Sequence, residues 1–175
     1  VYAGHQFVQY KPQLGDGRAI QLGEWALSSS ERYDIQLKGA GQTPYSRGGD
    51  GKSPVGPAVR EYLVSEAMHH LGVPTTRALA TIATGDKVFR NTVEPGAVMV
   101  RVAKSHLRFG SIQYFAMTRE GDGLAELVDY AAERHFAEIL SAKTAESTAA
   151  KAEVLLEETV TVSYTHLTLP TTEYV

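Results

Sequence analysis

The chain has 175 residues, of which 43% are hydrophobic and 21% charged, a composition ordinary for one soluble globular domain or part of a larger one. The formal net charge of −3 gives no bulk attraction to nucleic acid or to anionic membranes, so neither is an expected partner. The absence of cysteine excludes disulfides, thiolate metal ligands and a cysteine nucleophile. Because the first residue is not methionine, we expect a fragment whose true N-terminus and any targeting segment lie upstream.

The first predicted elements are strands. Apolar alternation in 19–27 and 32–37 predicts two antiparallel strands joined by the turn "SSSE". Residues 77–90 form two short β-prone runs around a "TGD" turn, and the alternation of valines in 98–102 predicts a further strand. We expect these segments to belong to one sheet.

The predicted helices interrupt and then follow the strands. Residues 59–71 have helical spacing, with Gly72 as the stop and an apolar stripe of Val59, Leu63 and Ala67. Helical patterns return in 124–140 and 144–158, which are rich in alanine and leucine. A sheet with one helix, followed by helices, predicts an α+β fold rather than a doubly wound parallel sheet.

The stretch "DIQLKGAGQTPYSRGGDGKS" (34–53) combines five glycines with two lysines and an arginine, which suits a phosphate site. A Walker A loop would need glycine at Ser46, and a dinucleotide fingerprint would need glycine at Pro44. The third alternative places Lys38 at a strand end with a glutamate on the next helix, as in protein kinases. Only that alternative fits the neighbouring predicted elements, and the glycines by themselves also suit an irregular surface loop.

Eight strings occur across about residues 2 to 115: "YAGHQF", "PQLGDGRA", "LGE", "DIQLKGAGQTPYSR", "GDG", "REYLVSEAM", "LGVPTTRALA" and "RVAKSHLRFG". In this order and spacing they resemble the N-terminal part of the selenoprotein O family. The resemblance implies a protein-kinase-like N-terminal lobe of a pseudokinase that binds ATP in a flipped orientation, with Mg²⁺, and transfers AMP to Ser, Thr or Tyr hydroxyls of proteins. The alternative is a non-catalytic, nucleotide-binding pseudokinase scaffold. The implied location is cytoplasmic in a bacterium and mitochondrial in a eukaryote.

The resemblance also assigns site residues, motif by motif. The lysine of "QLKGAG" is Lys38, and its partner on the helix is the glutamate of "REYL", Glu61. The other positions implied to contact the nucleotide are Gly15, Gly17, Arg18, Asp50, Gly51, Arg101 and Arg108. Periodicity alone leaves Glu61 and Glu66 both open as the partner of Lys38, because Glu66 falls within the apolar stripe. Arg101 is expected to face away from the valines of 98–102.

Three departures from the family pattern concern these motifs. Val8 stands where the family usually has glycine, and Lys52 replaces an arginine, which keeps the charge but loses the planar guanidinium. The prolines and Gly56 of "GKSPVGPAVRE" are expected to shorten or loosen the start of the helix that carries Glu61.

The family's catalytic carboxylate and its Asn/Asp magnesium ligands come from later "NTDN" and "DYGPF"-like strings, neither of which occurs here. We therefore expect no catalytic and no metal-ligating residue in this chain. The two adjacent histidines, His69 and His70, lack the spacing of a helical metal pair and are expected to have surface or packing roles.

We expect three segments. Residues 1–120 form a kinase-like nucleotide-binding lobe, residues 121–159 form a helical segment that leads to a C-terminal lobe outside this chain, and residues 160–175 form a tail. The tail, "VTVSYTHLTLPTTEYV", is dense in threonine and β-branched residues. It is either a strand and loop of the domain or a non-native sequence that resembles translated adapter read-through.

Overall fold

The computed structural model describes residues 4–6, 9–11, 17–28 and 31–172, with side chains for 17–28 and 31–160. The chain forms two compact units, Val1–Gly110 and Ser111–Val175. The first unit contains the sheets and one long helix, and the second is helical, so the predicted α+β class is confirmed. The predicted boundaries at 120 and 159 stay predictions.

The first unit contains two sheets. Strands β1 (Gly4–Gln6) and β2 (Gln9–Lys11) form an antiparallel pair. The second sheet has five antiparallel strands: β3 (Ala19–Ala26), β4 (Arg32–Lys38), β5 (Ser53–Pro54), β6 (Arg77–Phe89) and β7 (Val93–Ala103). Strand β7 is central: β4 and β5 pair with different parts of it, β6 pairs along its whole length, and β3 pairs with β4. This register sets the end of β4 beside the middle of β7.

The predicted strands are confirmed with one correction. Strands β3 and β4 are antiparallel as predicted, with Trp25 opposite Tyr33. The prediction of two runs around a "TGD" turn is wrong, because β6 is one strand of 13 residues. A register shift between Ala83 and Lys87 absorbs the turn residues, and Gly85 has a φ of 79° there. The pairing with β7 therefore continues through a bulge.

Helix α1 (Val55–His70) begins earlier than predicted and ends where predicted. Pro54 is the residue before the first turn and Pro57 lies within that turn, where backbone N–H groups have no intrahelical partner. The prolines and Gly56 therefore do not shorten the helix. Gly72, with a φ of 78°, ends it, and its N–H donates to the carbonyl of His69.

The face that α1 buries is not the predicted apolar stripe. Its buried residues are Ala58 and Ser65, whereas Val59 is 40% and Leu63 60% exposed. Glu61 lies on the face of Ala58 and Ser65 at helical spacing, and this face packs on β6 and β7. The short connection from β5 fixes how α1 meets the sheet, so hydrophobic periodicity alone selected the wrong side.

The second unit is built from helices. Helix α2 (Phe109–Thr118) was not predicted, and it begins at the end of the first unit. Helices α3 (Gly121–Lys143) and α4 (Thr148–Thr172) confirm the two predicted helical patterns. Their core cluster comprises Ala132, Leu140, Ala145 and Val154. Helix α4 continues through most of the predicted tail, so the strand-and-loop alternative is wrong. The non-native origin of 160–175 stays a prediction.

Candidate functional site

A cavity of about 450 Å³ lies in the first unit beside the end of β4. Its lining includes seven cationic side chains: Arg18, Lys38, Arg47, Lys52, Arg90, Arg101 and Arg108. Among the described lining residues, Asp50 supplies the single carboxylate. Several cations around one concave surface raise the local potential and favour an anion with several negative charges.

Seven of the sequence-predicted contact residues line this cavity: Gly17, Arg18, Lys38, Asp50, Gly51, Arg101 and Arg108. They come from β4, β7 and three loops that are far apart in the sequence. Gly15 and Val8 lie outside the described residues. The fold thus brings the predicted residues together, while their contact with a nucleotide stays a prediction.

Glu61 of α1 joins two cations of the cavity. Its carboxylate pairs with Lys38, the last residue of β4, and accepts a hydrogen bond from Nη1 of Arg101 on β7 at 3.0 Å. The three side chains are partly or largely buried, with 22% of Lys38, 32% of Glu61 and 14% of Arg101 exposed. Arg101 lies on the sheet face that also buries Met99, the face toward α1. The valines of 98–102 occupy the opposite face, as expected, but are the less buried set.

Glu66, the other candidate, has a different partner. Nε and Nη2 of Arg77 each donate to its carboxylate at 2.7 Å. This hydrogen-bonded pair lowers the pKa of Glu66 and joins α1 to the start of β6. The alternative that periodicity left open is therefore resolved: Glu61 is the partner of Lys38.

Burial and charge shift the pKa values of this ion-pair network. Burial is the largest cause that lowers the pKa of Lys38; pairing with Glu61 opposes the shift, and the charges of Arg101 and Arg18 add to it. Burial would raise the pKa of Glu61, but the hydrogen bonds and charges of Lys38 and Arg101 lower it overall. An anion beside Lys38 would offset both its burial and the repulsion from its cationic neighbours.

The glycine-rich segment after β4 closes on itself at the cavity. The N–H of Gly41 donates to the carbonyl of Gly51 at 3.3 Å, and Ala40 bridges to Lys52. Gly51 has a φ of 65°, and a Cβ there would lie 1.8 Å from the carbonyl oxygen of Gly41. Only glycine fits that position. The segment 39–52, called the glycine loop below, therefore presents backbone and charged side chains to the cavity.

Sequence reasoning did not assign three of the lining cations. Arg47 was noted only as one charge of the glycine loop, and Lys52 was considered as part of a Walker A loop. Arg90 lies 40 residues from Asp50 in the sequence, yet its guanidinium donates to both oxygens of Asp50 at 2.9 Å. Hydrogen bonds from Arg90 and from the backbone N–H of Lys52 lower the pKa of Asp50 to about 2. No local pattern could have identified such a long-range pair.

His106 lies buried near the cavity between β7 and Arg108, with 3% of its side chain exposed. Its backbone N–H donates to Oδ2 of Asp34 at 2.9 Å. In the described part of the chain, neither ring nitrogen has a hydrogen-bond partner. Burial, the largest cause, and the charges of Arg101 and Arg108 together lower the pKa of His106 to about 4, and the charge of Asp34 opposes the shift. The neutral imidazole thus fills space, and the backbone bond holds the segment that leads to Arg108.

Within the described ranges, no group of three His, Asp or Glu side chains is arranged to hold a metal ion. The cavity itself has a cationic lining, and its carboxylate, Asp50, is engaged by Arg90. These donors do not fit Mg²⁺. His69 and His70 are exposed at the end of α1, where Nδ1 of His70 lies 2.8 Å from the carbonyl oxygen of Glu66.

No helix in the described part of the chain has both the length and the apolar character needed to cross a membrane.

Comparison with known proteins gives the family. The family model described as "Protein adenylyltransferase SelO" matches residues 1–167. Over 136 residues the chain is 62% identical to the "Protein nucleotidyltransferase YdiU" of Maridesulfovibrio salexigens, covering 78% of this chain and 28% of that protein. The protein of the same name from Roseobacter denitrificans is 64% identical over 135 residues, with 77% and 29% covered. The chain thus spans less than a third of these curated relatives, and it belongs to the protein adenylyltransferase SelO family.

Proposed function

We propose that this chain is the ATP-binding part of a protein adenylyltransferase, which transfers AMP from ATP to Ser, Thr or Tyr hydroxyls of other proteins. The observation that carries the proposal is the cavity with seven cationic lining residues, two of which, Lys38 and Arg101, are oriented by Glu61. Phosphoryl and nucleotidyl transfer depend mainly on positioning and charge stabilisation, and this cavity supplies both to a triphosphate. Because the chain spans 28% of its relatives, the activity is proposed for the whole protein.

The roles of the residues follow from their positions. Lys38, Arg101 and Arg108 bind phosphate oxygens as charge-assisted donors, and Arg18 adds charge near the glycine loop. A flipped ATP needs cations for its γ-phosphate where a kinase holds adenine, and the surplus of arginines suits that orientation. The hydroxyl oxygen of the acceptor attacks the α-phosphorus and gives its proton to a base that the whole protein supplies, the α–β phosphoanhydride bond breaks and pyrophosphate leaves. Bound Mg²⁺ would neutralise phosphate charge, but the described residues of this chain do not fit it.

The test measures ATP binding and AMP transfer separately in the full-length protein that carries this chain. Calorimetry should detect ATP binding in the wild type and its weakening in K38A, and ATP labelled on the α-phosphate should label an acceptor protein. R32A is the matched control, because Arg32 pairs with Glu24 on an exposed edge away from the cavity. Absence of ATP binding in the wild type would contradict the proposal. Binding without transfer would support the alternative, a nucleotide-binding pseudokinase scaffold.

We also propose a cytoplasmic location for the whole protein, because the relatives from Maridesulfovibrio salexigens and Roseobacter denitrificans are bacterial.

A further inference from the structure

Arg90 connects the glycine loop to the turn between β6 and β7. Its two terminal nitrogens each donate to one oxygen of Asp50 at 2.9 Å, and Nη2 also donates to the carbonyl of Lys52 at 3.0 Å. Nη1 also donates to the carbonyl of Phe89 at 2.7 Å, which holds the guanidinium against the end of β6. The bidentate pair with Asp50 needs the planar, forked arrangement of donors that arginine has and lysine lacks.

The glycine loop needs an external anchor because its backbone is strained. Arg47 has a φ of 51°, in the left-handed region that is strained for a residue with a side chain. Gly48 and Gly51 also have positive φ values, of 79° and 65°, which glycine adopts without strain, so the strain lies at Arg47. A strained conformation of this kind persists when surrounding contacts over-determine it. The Gly41–Gly51 backbone bond is long, at 3.3 Å, whereas the Arg90–Asp50 pair is bidentate and short.

We propose that Arg90 is a positioning residue for the nucleotide: its hydrogen bonds to Asp50 and Lys52 hold the glycine loop in the shape that presents Arg47, Asp50 and Gly51 to the cavity. This inference rests on the proposed function for its ligand, ATP. Its structural part, the ordering of the loop, is independent of any ligand.

Arg90 also lines the cavity, so its charge alone could act on phosphate. The positioning role and the direct charge role predict different behaviour when lysine replaces Arg90. R90K keeps the charge but cannot make the bidentate pair, so a positioning role predicts that R90K behaves like R90A. A direct charge role predicts that R90K behaves like the wild type. Similarly, if Arg90 acts through Asp50, the double variant R90A/D50N should be no worse than the more affected single variant.

The experiment uses the full-length protein and two readouts. Hydrogen exchange without nucleotide should be faster in residues 43–52 of R90A and R90K, with the exchange of β4 and β7 unchanged. The Kd for ATP should rise at least about tenfold in both variants, the loss expected when a misplaced loop no longer offers one charge-assisted contact. R32A removes an arginine from an exposed ion pair with Glu24 and should change neither readout.

Each outcome decides the inference. Faster loop exchange with weaker ATP binding in both R90A and R90K supports it. Unchanged loop exchange, or wild-type affinity in R90K, overturns it. If the wild type binds no ATP, the proposed function fails and the nucleotide role of Arg90 fails with it, while the exchange data still report whether Arg90 orders the loop. If R90A does not fold, R90K and D50N apply the same two readouts.

Discussion

Arg101 of β7 donates a hydrogen bond to Glu61 of α1 at 3.0 Å, and this bond ties the rotation of the helix to the strand at the centre of the sheet. The same carboxylate pairs with Lys38 at the end of β4. One side chain on α1 thus orients two cations from neighbouring strands toward one cavity. Displacing α1 would therefore separate both cations from their carboxylate partner.

We expect E61Q to lower the rate of AMP transfer by the full-length protein about tenfold or more, because misplaced phosphate ligands cost rate. Its free energy of unfolding should also fall, by about 1 to 3 kcal/mol, because Glu61 is the carboxylate partner of two largely buried cations. E66Q is the matched control: it makes the same chemical change on the same helix, where the carboxylate pairs with Arg77. Steady-state transfer assays and urea unfolding compare the variants. Wild-type activity in E61Q would show that Glu61 does not orient the site.

Alanine at Lys38, Arg101 or Arg108 should weaken ATP use, because each removes one charge-assisted contact worth about 1.5 to 3 kcal/mol. In transfer assays this corresponds to a fall in kcat/KM of about tenfold or more for each variant. R77A, which removes an arginine that does not line the cavity, should retain kcat/KM. Unchanged kcat/KM in all three cavity variants would remove the phosphate-binding assignment.

His106 should make stability depend on pH. Its pKa is about 4 in the folded chain because of burial and the charges of Arg101 and Arg108, whereas an unfolded histidine has a pKa near 6.5. Between these values the unfolded state binds more protons, so the free energy of unfolding rises with pH from about 4 to 6.5 and this contribution is complete above 6.5. The expected total is on the order of 3 kcal/mol.

Urea unfolding at pH 5 and pH 7 tests this dependence, with H106F as the comparison. Phenylalanine fills the buried space and leaves the backbone bond to Asp34 in place, so H106F should show a smaller difference between the two pH values. Equal pH dependence in H106F and the wild type would mean that His106 does not titrate in this way.

Gly51→Ala should disrupt the glycine loop more than Gly48→Ala. Both positions have positive φ, so each alanine costs about 1 to 2 kcal/mol of backbone strain. A Cβ at Gly48 meets no atom within 4 Å, whereas one at Gly51 would lie 1.8 Å from the Gly41 carbonyl oxygen. G51A should therefore raise the Kd for ATP and accelerate exchange in 43–52 well beyond G48A. Equal effects would show that the contact with Gly41 relaxes at little cost.

The 175-residue chain by itself should transfer no AMP, because the strings that the family resemblance implies for the catalytic carboxylate and the magnesium ligands do not occur in its sequence. Positioning and metal electrostatics supply most of the rate in this chemistry. The assay incubates the chain and the full-length protein in parallel with Mg²⁺, α-labelled ATP and an acceptor protein. Label transferred by the chain at a rate comparable to the full-length protein would place the catalytic groups within these residues.

The sequence by itself determined the elements with strong local patterns. Alternation in 19–27 and 32–37 was enough to predict β3 and β4, and helical spacing with Gly72 as a stop was enough to predict the end of α1. The glycines and cations of 34–53, together with the family motifs, were also enough to predict most of the residues that line the cavity. These predictions depend on short-range periodicity, turn chemistry and motif spacing, which a linear sequence contains.

Only the tertiary structure decided which side of α1 meets the sheet and which cations converge. Periodicity favoured the side of Val59 and Leu63, but the connection to β5 and the ion pairs with Lys38 and Arg101 bury the side of Glu61. The pair between Arg90 and Asp50 joins residues 40 positions apart through the β6–β7 turn. Such contacts arise from strand order and register, because β7 lies between β6 and β4 in the sheet. No local sequence pattern encodes that arrangement.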